Sequence, residues 1–215
     1  EAYVTDLDYM KPVMPKNMIA PEYLKERAKL IHSERATNFE VGEPKSVGTV
    51  YLSAADASGM MVSFIQSNYA GFGSGVVVPG TGIHLQNRGA GFSLCKKHPN
   101  LVAPGKRPFH TIIPAFLMKH EKPLMSFGVM GGPMQAQGHL QMTLRTQLWD
   151  QDVQVAIDAP RWRITGGLGI ACESSFESST LQTLSDMGHD VKCEAPDNAF
   201  GFGGAQLVAR LDNGT

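Results

Sequence analysis

The sequence predicts an α+β fold built on antiparallel sheet. Three observations carry this. Two pairs of apolar, β-branched and aromatic runs are each joined by a short turn. The helical stretches stand apart from those pairs instead of alternating with single strands. A glycine-rich segment between the pairs has the periodicity of neither element.

Taken in order, KPVMPKNMIAP (11–21) reads as a proline-punctuated loop. Pro21 opens a helix, PEYLKERAKLIH, that ends near Ser33; proline suits a first turn, where its missing N–H would be unpaired anyway. NFEVGEPKSVG (38–48) is a polar linker without periodicity. TVYLSAAD (49–56) and MMVSFIQS (60–67) are two strands joined at Asp56-Ala57-Ser58-Gly59, with glycine where a hairpin wants positive φ. Residues 70–92 form a glycine-rich loop. IIPAFLM (112–118) and LMSFGVM (124–130) make a second β pair around Lys119–Pro123. Gly131-Gly132 then leads into a helix to about Trp149, with Leu140, Leu144 and Leu148 stacked at i, i+4. Ser178 to Met187 is a further helix closed by Gly188. VKCEA (191–195) and AQLVARL (205–211) are short strands, the second running into a turn-like Asp212-Asn213-Gly214-Thr215.

Composition narrows the function classes. At 215 residues the chain is one large domain or two small ones. A net charge of -1 gives no electrostatic case for nucleic acid or an anionic membrane. Only 18% of residues are charged and 23 are glycine, so much of the surface is expected to lie under other protein. No apolar run reaches membrane-span length. The first residues have no signal-peptide pattern and no initiator Met. Cys95, Cys172 and Cys193 are too few and scattered for a disulfide framework or zinc site, and are expected buried, reduced and inert. The histidines show no HxH or HExxH spacing, and no cofactor is expected.

Two junctions carry chemistry. At Gly48-Thr49 a linker ends and a core strand begins. Thr49 Oγ could attack the uncrowded Gly48 carbonyl and release a new N-terminus, whose amine then serves as base for its own hydroxyl; an ordinary Gly-Thr strand start has the same spacing. Across the hairpin, Thr49 faces Gln66 in one register and Ser67 if the turn carries a bulge; in both, Ser67 lies beside it. The second junction is Gly131-Gly132 between strand and helix. Its N–H groups suit an oxyanion hole, and the alternative is a tight turn. Weaker features are Gly71-Phe72-Gly73-Ser74-Gly75, which lacks the following helix of a phosphate loop; the solvated Lys96-Lys97-His98; Arg107, a loop or carboxylate anchor; Arg161 and Arg163, placed to stack on Trp162; and Met60, Met61, Met125 and Met130, read as core filling.

GTVYLSAAD, GFGSGVVVPGTGIHLQN, PGKRPFHTIIP, GVMGGPMQAQGH and DAPRWR occur in an order that resembles the γ-glutamyltranspeptidase family of N-terminal-nucleophile hydrolases over the whole chain. The resemblance implies a four-layer αββα sandwich assembled from two subunits of one precursor. It implies that residues 1–48 are the end of the large subunit and its linker, with cleavage between Gly48 and Thr49. Residues 49–215 would then be the catalytic small-subunit region, without a closing strand after Thr215. Thr49 falls on the nucleophile, Ser67 on the hydroxyl that supports it, and Gly131 and Gly132 on the oxyanion hole. The recognition positions differ from typical members. Gly91 stands where an Asp holds the substrate ammonium, Arg88 replaces a Gln, Tyr69 an Asn, and His110 and Thr111 a serine pair that binds the α-carboxylate. This weakens the case for glutathione. The implied activity is transfer of a γ-glutamyl or related acyl group to water or an amine, with the large subunit as partner and a homodimer of heterodimers as assembly. The alternatives are an amide or β-lactam side-chain acylase and a silent ligand-binding paralogue. The compartment, cytoplasmic or periplasmic, is left open.

Overall fold

The computed structural model describes residues 4–10, 14–37, 48–194 and 201–211. The expected linker at 38–47 and the turn at 212–215 lie outside them.

A 3-10 turn at Leu7–Tyr9 comes first, followed by two short α-helices. Helix α1 (Pro15–Met18) was expected as loop; Pro15 occupies its first turn, as Pro21 does in α2 (Pro21–Ala28). Helix α2 stops before the predicted end near Ser33, having no buried residue to extend it. This region is tied to the rest by specific bonds. Asn100 Nδ2 donates to Val4 O (3.0 Å), and the Arg107 N–H donates to Asp6 Oδ2 (2.9 Å). Arg107 is therefore a loop anchor here.

Strands β1 (Gly48–Ala55) and β2 (Met61–Tyr69) form an antiparallel hairpin. Its turn is tighter on one side than a simple loop. The Gly59 N–H donates to Asp56 O, the Asp56 N–H donates to Met60 O, and Gly59 has φ 85°. This glycine bulge selects the register in which Thr49 faces Ser67 and Val50 faces Gln66. Asp56 Oδ1 caps the turn by accepting from the Ser58 N–H and hydroxyl, which holds its carboxyl below the usual range.

Strands β3 (Ala115–Lys119) and β4 (Lys122–Val129) turn at His120-Glu121, both at positive φ, a two-residue reversal tighter than the predicted five-residue one. Alternation along β4 explains the next layers. Met125, Phe127 and Val129 point one way, into the buried core with Met142 and Ala156. Ser126 and Gly128 point the other way, toward the β1–β2 hairpin. Ser126 bonds the Ser53 hydroxyl, and Gly128 lies under the Tyr51 ring. Burial on both faces makes β4 the centre of the molecule.

Helix α3 (Met134–Thr143) covers the core side and runs into a π-helical turn at Leu144–Leu148. The predicted leucine stripe does not face the core: Leu140 and Leu148 are 52% and 68% exposed. Close approach decides this. Gly138 packs on Val129, where a Cβ would lie 2.6 Å from Val129 Cγ1, and Met134 and Met142 flank it. Buried Gln141 bonds the N–H and C=O of Trp162, locking the face. Helix α4 (Val153–Asp158), capped by Asp152, packs nearby.

A second sheet contains β5 (Trp162–Gly166), β6 (Gly169–Glu173) and, after helix α5 (Ser178–Asp186), β7 (Asp190–Glu194), which runs parallel to β6. Gly188 closes α5 at φ 97° as expected. Strand β8 (Ala205–Ala209) pairs with β4. The order of layers in the described residues is thus hairpin, sheet β3-β4-β8 and helix. Arg161 and Arg163 do not stack on Trp162; they pair with Glu173 and Glu194, and Arg163 also lies over Phe202. Only Cys172 of the cysteines is buried, its thiol pushed up to about 11 by burial; Cys95 and Cys193 are exposed. Met60 is 65% exposed and fills no core, unlike Met125.

Candidate active site

Thr49 stands at the end of β1, where the ladder shifts register: Thr49 pairs with Ser67, but Gly48 pairs with Tyr69, skipping Asn68. A bulge re-aims the chain at such a point. Tyr69 takes up the change with φ 78°. Its N–H, turned out of the ladder, donates to Ser67 Oγ at 2.9 Å, and Thr49 Oγ1 donates to the same oxygen at 3.1 Å. Ser67 therefore links the hydroxyl of Thr49 to the strained end of β2.

Thr49, Tyr51 and Ser53 share the inner face of the hairpin. Ser53 meets Ser126 and Tyr51 meets Gly128, so each two-residue step back along β1 is a two-residue step forward along β4. Thr49 is one two-residue step further along β1, toward the end of this face nearer the Gly131-Gly132 turn. Gly131 (φ 116°) and Gly132 (φ 60°) occupy conformations closed to most side chains. Their carbonyls accept from Met134 and Gln135 as α3 begins. Among the described residues, neither of their own N–H groups has a hydrogen-bond partner. Sequence reasoning missed what supports this turn. Gly203 packs so closely that a Cβ would overlap Met130 O, and the Met130 N–H donates to Gly204 O. The Gly203-Gly204 pair was the available signal.

The recognition positions gather beyond Tyr69. The Asn87 N–H donates to Asn68 O (3.1 Å) and Asn87 Oδ1 accepts from the Ala70 N–H (3.0 Å), fastening residue 87 to the end of β2. Arg88 follows, opening a 3-10 turn to Gly91. Its side chain is 4% exposed. The guanidinium carbon lies 5.5 Å from the Tyr69 ring centroid, and Nη1 donates to Thr111 Oγ1 at 3.3 Å. His110 is exposed at one edge, yet partial loss of water and then the Arg88 charge hold its imidazole below the usual range. Gly91 backs onto Phe109. Tyr69, Arg88, Gly91, His110 and Thr111, chosen from separate stretches of sequence, therefore form one neighbourhood.

No helix among the described residues is long and apolar enough to cross a membrane. The family model described as Gamma-glutamyltranspeptidase matches residues 1–215. The chain is 38% identical, over its full length, to the oxamate amidohydrolase proenzyme of Klebsiella pneumoniae, of which it spans 41%. It is 43% identical over 70% of its length to the glutathione hydrolase-like YwrD proenzyme of Bacillus subtilis, spanning 30% of that protein. Among solved structures, cephalosporin acylase from Bacillus halodurans superposes over 99% of the chain with a TM-score of 0.89 and 47% identity, the chain covering 38% of it. The expected resemblance is thereby established: this chain belongs to the gamma-glutamyltranspeptidase family.

Proposed function

We propose that this chain carries the catalytic centre of an amidohydrolase or acyltransferase activated by its own cleavage at Gly48–Thr49. The observation that carries the reading is the Thr49–Ser67 hydrogen bond at the register shift beside Gly48. Thr49 Oγ attacks the Gly48 carbonyl carbon, the peptide C–N bond breaks, and an ester joins Gly48 to Thr49. Water hydrolyses the ester, leaving a Gly48 carboxylate and a free Thr49 amine. That amine accepts the hydroxyl proton when Oγ attacks a substrate amide. The oxyanion lies against the Gly131 and Gly132 N–H groups, a term worth about 2.7–4 kcal/mol per donor in comparable sites. The leaving amine takes the proton, and water or an acceptor amine then resolves the acyl-threonine.

The large subunit of the same precursor is the partner this reading requires. Val50, Leu52, Val62 and Phe64 expose the outer face of the hairpin; a helix layer from the remainder of the precursor would cover it and complete a four-layer αββα sandwich. Within this chemistry, an acylase is the second reading. The similarity to a cephalosporin acylase favours it, as does Gly91, which offers no carboxylate to a substrate ammonium. The test is intact-mass measurement during turnover of an acyl anilide. The piece beginning at Thr49 should gain the mass of the acyl group, and none should appear in Thr49→Ala. A cut protein that turns over without acylating that piece would defeat the proposal, and an uncut, inactive protein would point to a silent module.

A further inference from the structure

We propose that Gln135 is the positioning residue of the Gly131-Gly132 turn, its buried side chain setting the direction in which the two glycine N–H groups point. This rests on the oxyanion role proposed above and adds what holds the donors in place.

Two adjacent glycines at positive φ form a joint with no side chain to stiffen it. On the strand side the joint is fixed, because the Met130 N–H donates to Gly204 O. On the helix side the Gln135 N–H donates to Gly132 O at 3.0 Å, so the turn moves with Gln135. The Gln135 side chain is fully buried, and its Oε1 accepts from the Ile113 N–H at 3.0 Å. Ile113 stands two residues before β3, whose first residue, Ala115, pairs with Phe127 of β4. A closed circuit results. The chain leaves Phe127 along β4, passes through the turn to Gln135, crosses to Ile113, and returns to Phe127 through Ala115. His139, one helical turn on, braces the same circuit. Its Nδ1–H donates to Gln135 O, and its ring centroid lies 5.2 Å from that of Phe127.

The chemistry of the side chain separates this role from core filling. Among the described residues Gln135 Nε2 is buried with no hydrogen-bond partner, a cost that an apolar side chain of the same length would not carry. What the amide supplies is one directed acceptor for Ile113. Gln137 and Gln141 on the same helix also bond backbone, but they reach a different element. Gln137 Oε1 accepts from the Ile164 N–H at 2.7 Å, and Gln141 bonds Trp162, both in β5. Of the three, Gln135 is the one whose bonds close on the glycine turn.

The experiment uses the full-length protein with glutaryl and pentanoyl 4-nitroanilides. The fraction of chain cut at Gly48–Thr49 is measured first by mass, and kcat is expressed per cut chain. Gln135→Met keeps the length of the side chain and loses the acceptor. It should lower kcat per cut chain about tenfold to a hundredfold, by the same factor for both substrates, with KM within about threefold of wild type. Gln137→Met, which loses a comparable bond to β5, should lower the melting temperature and leave kcat per cut chain unchanged. Hydrogen exchange of the Ile113 amide reads the anchor without turnover: slow in the wild type, and faster by at least about tenfold in Gln135→Met. An uncut, inactive wild type would defeat the threonine reading on which this rests. In a cut, active protein, four results would overturn the role of Gln135. These are a wild-type kcat per cut chain in Gln135→Met, an equal loss in Gln137→Met, a loss confined to one substrate, and a rapidly exchanging Ile113 amide in the wild type. Unfolding of both Gln135→Met and Gln135→Leu would make it a residue of the fold and overturn the assignment as well.

Discussion

The Tyr51 ring occupies the space in which a side chain on Gly128 would begin: a Cβ there would stand 2.4 Å from Tyr51 Cδ2. The ring is 3% exposed and its hydroxyl shares a 2.8 Å hydrogen bond with Ser63. This contact sets the depth at which the hairpin rests on β4. Through the two-residue steps on either side, it also sets where Thr49 stands relative to Gly131.

Gly128→Ala should therefore act twice. Overpacking against Tyr51 should cost about 1–3 kcal/mol, measured by urea denaturation. The displaced hairpin should also slow cleavage at Gly48–Thr49, followed on denaturing gels. Wild-type stability and cleavage rate together would show that Tyr51 yields without moving β1.

Ser67→Ala should leave the fold intact, because Ser67 is a half-buried strand residue on a hairpin held by seven other register pairs. It removes the acceptor of both the Thr49 hydroxyl and the Tyr69 N–H. Turnover should fall about tenfold to a hundredfold, or about 1.4–2.8 kcal/mol of barrier, with circular dichroism unchanged. An unaltered kcat would make Ser67 an ordinary strand serine.

These contacts were unequally visible in the sequence. Both β pairs were plain from their apolar runs and turns. The Thr49–Ser67 pairing was one of two registers, and only the conformation of Gly59 decides between them. The pair β5 and β6 went unrecognised, although Gly166-Gly167 marks their turn. Each run is short, and β6 is buried from Gly169 to Cys172, which removes the period-2 signal. The leucine spacing of 140–148 was read correctly as helical, but the stripe it marks is not the buried one. Gly138 and the glutamines decide the buried side through tertiary contacts that periodicity does not contain. In the site, positions 69, 88, 91, 110 and 111 were grouped only through the family resemblance. Their convergence depends on the positive φ of Tyr69 and on the Asn68–Asn87 hydrogen bond, neither of which composition or spacing encodes.

Gly91→Asp should redirect specificity. On a 3-10 turn, positions i and i+3 eclipse, so the new carboxylate would face Arg88. Its Cβ would lie 3.3 Å from Phe109 O, requiring that strand of loop to give by tenths of an ångström. The glutaryl-to-γ-glutamyl ratio in kcat/KM should drop by about tenfold. A ratio at the wild-type value would remove Gly91 from the recognition surface.

The His110 shift gives a pH signature. Burial first, and Arg88 second, keep the free imidazole neutral to lower pH than usual. A bound carboxylate favours the protonated ring and raises its pKa, so anion binding must tighten as pH falls between the bound and free values. The kcat/KM ratio of glutaryl to pentanoyl 4-nitroanilide should rise as pH falls below the ordinary imidazole range, while the substrate carboxylate is still ionised. Because the nucleophile's amine titrates equally for both substrates, the ratio isolates His110. His110→Gln should abolish the slope, and a slope retained in that variant would assign it elsewhere.

The central claim is that Thr49 makes its own N-terminus. The most direct measurement is the intact mass and N-terminal sequence of the full-length protein, purified as wild type, Thr49→Ala and Thr49→Ser. The account predicts two pieces in the wild type, the second beginning Thr-Val-Tyr-Leu. Thr49→Ala should stay in one piece, and Thr49→Ser should cut more slowly, since serine keeps the hydroxyl but loses the restricted rotamer of a β-branched side chain. A wild-type protein that remains whole, or a Thr49→Ala protein that is cut after Gly48, would contradict it.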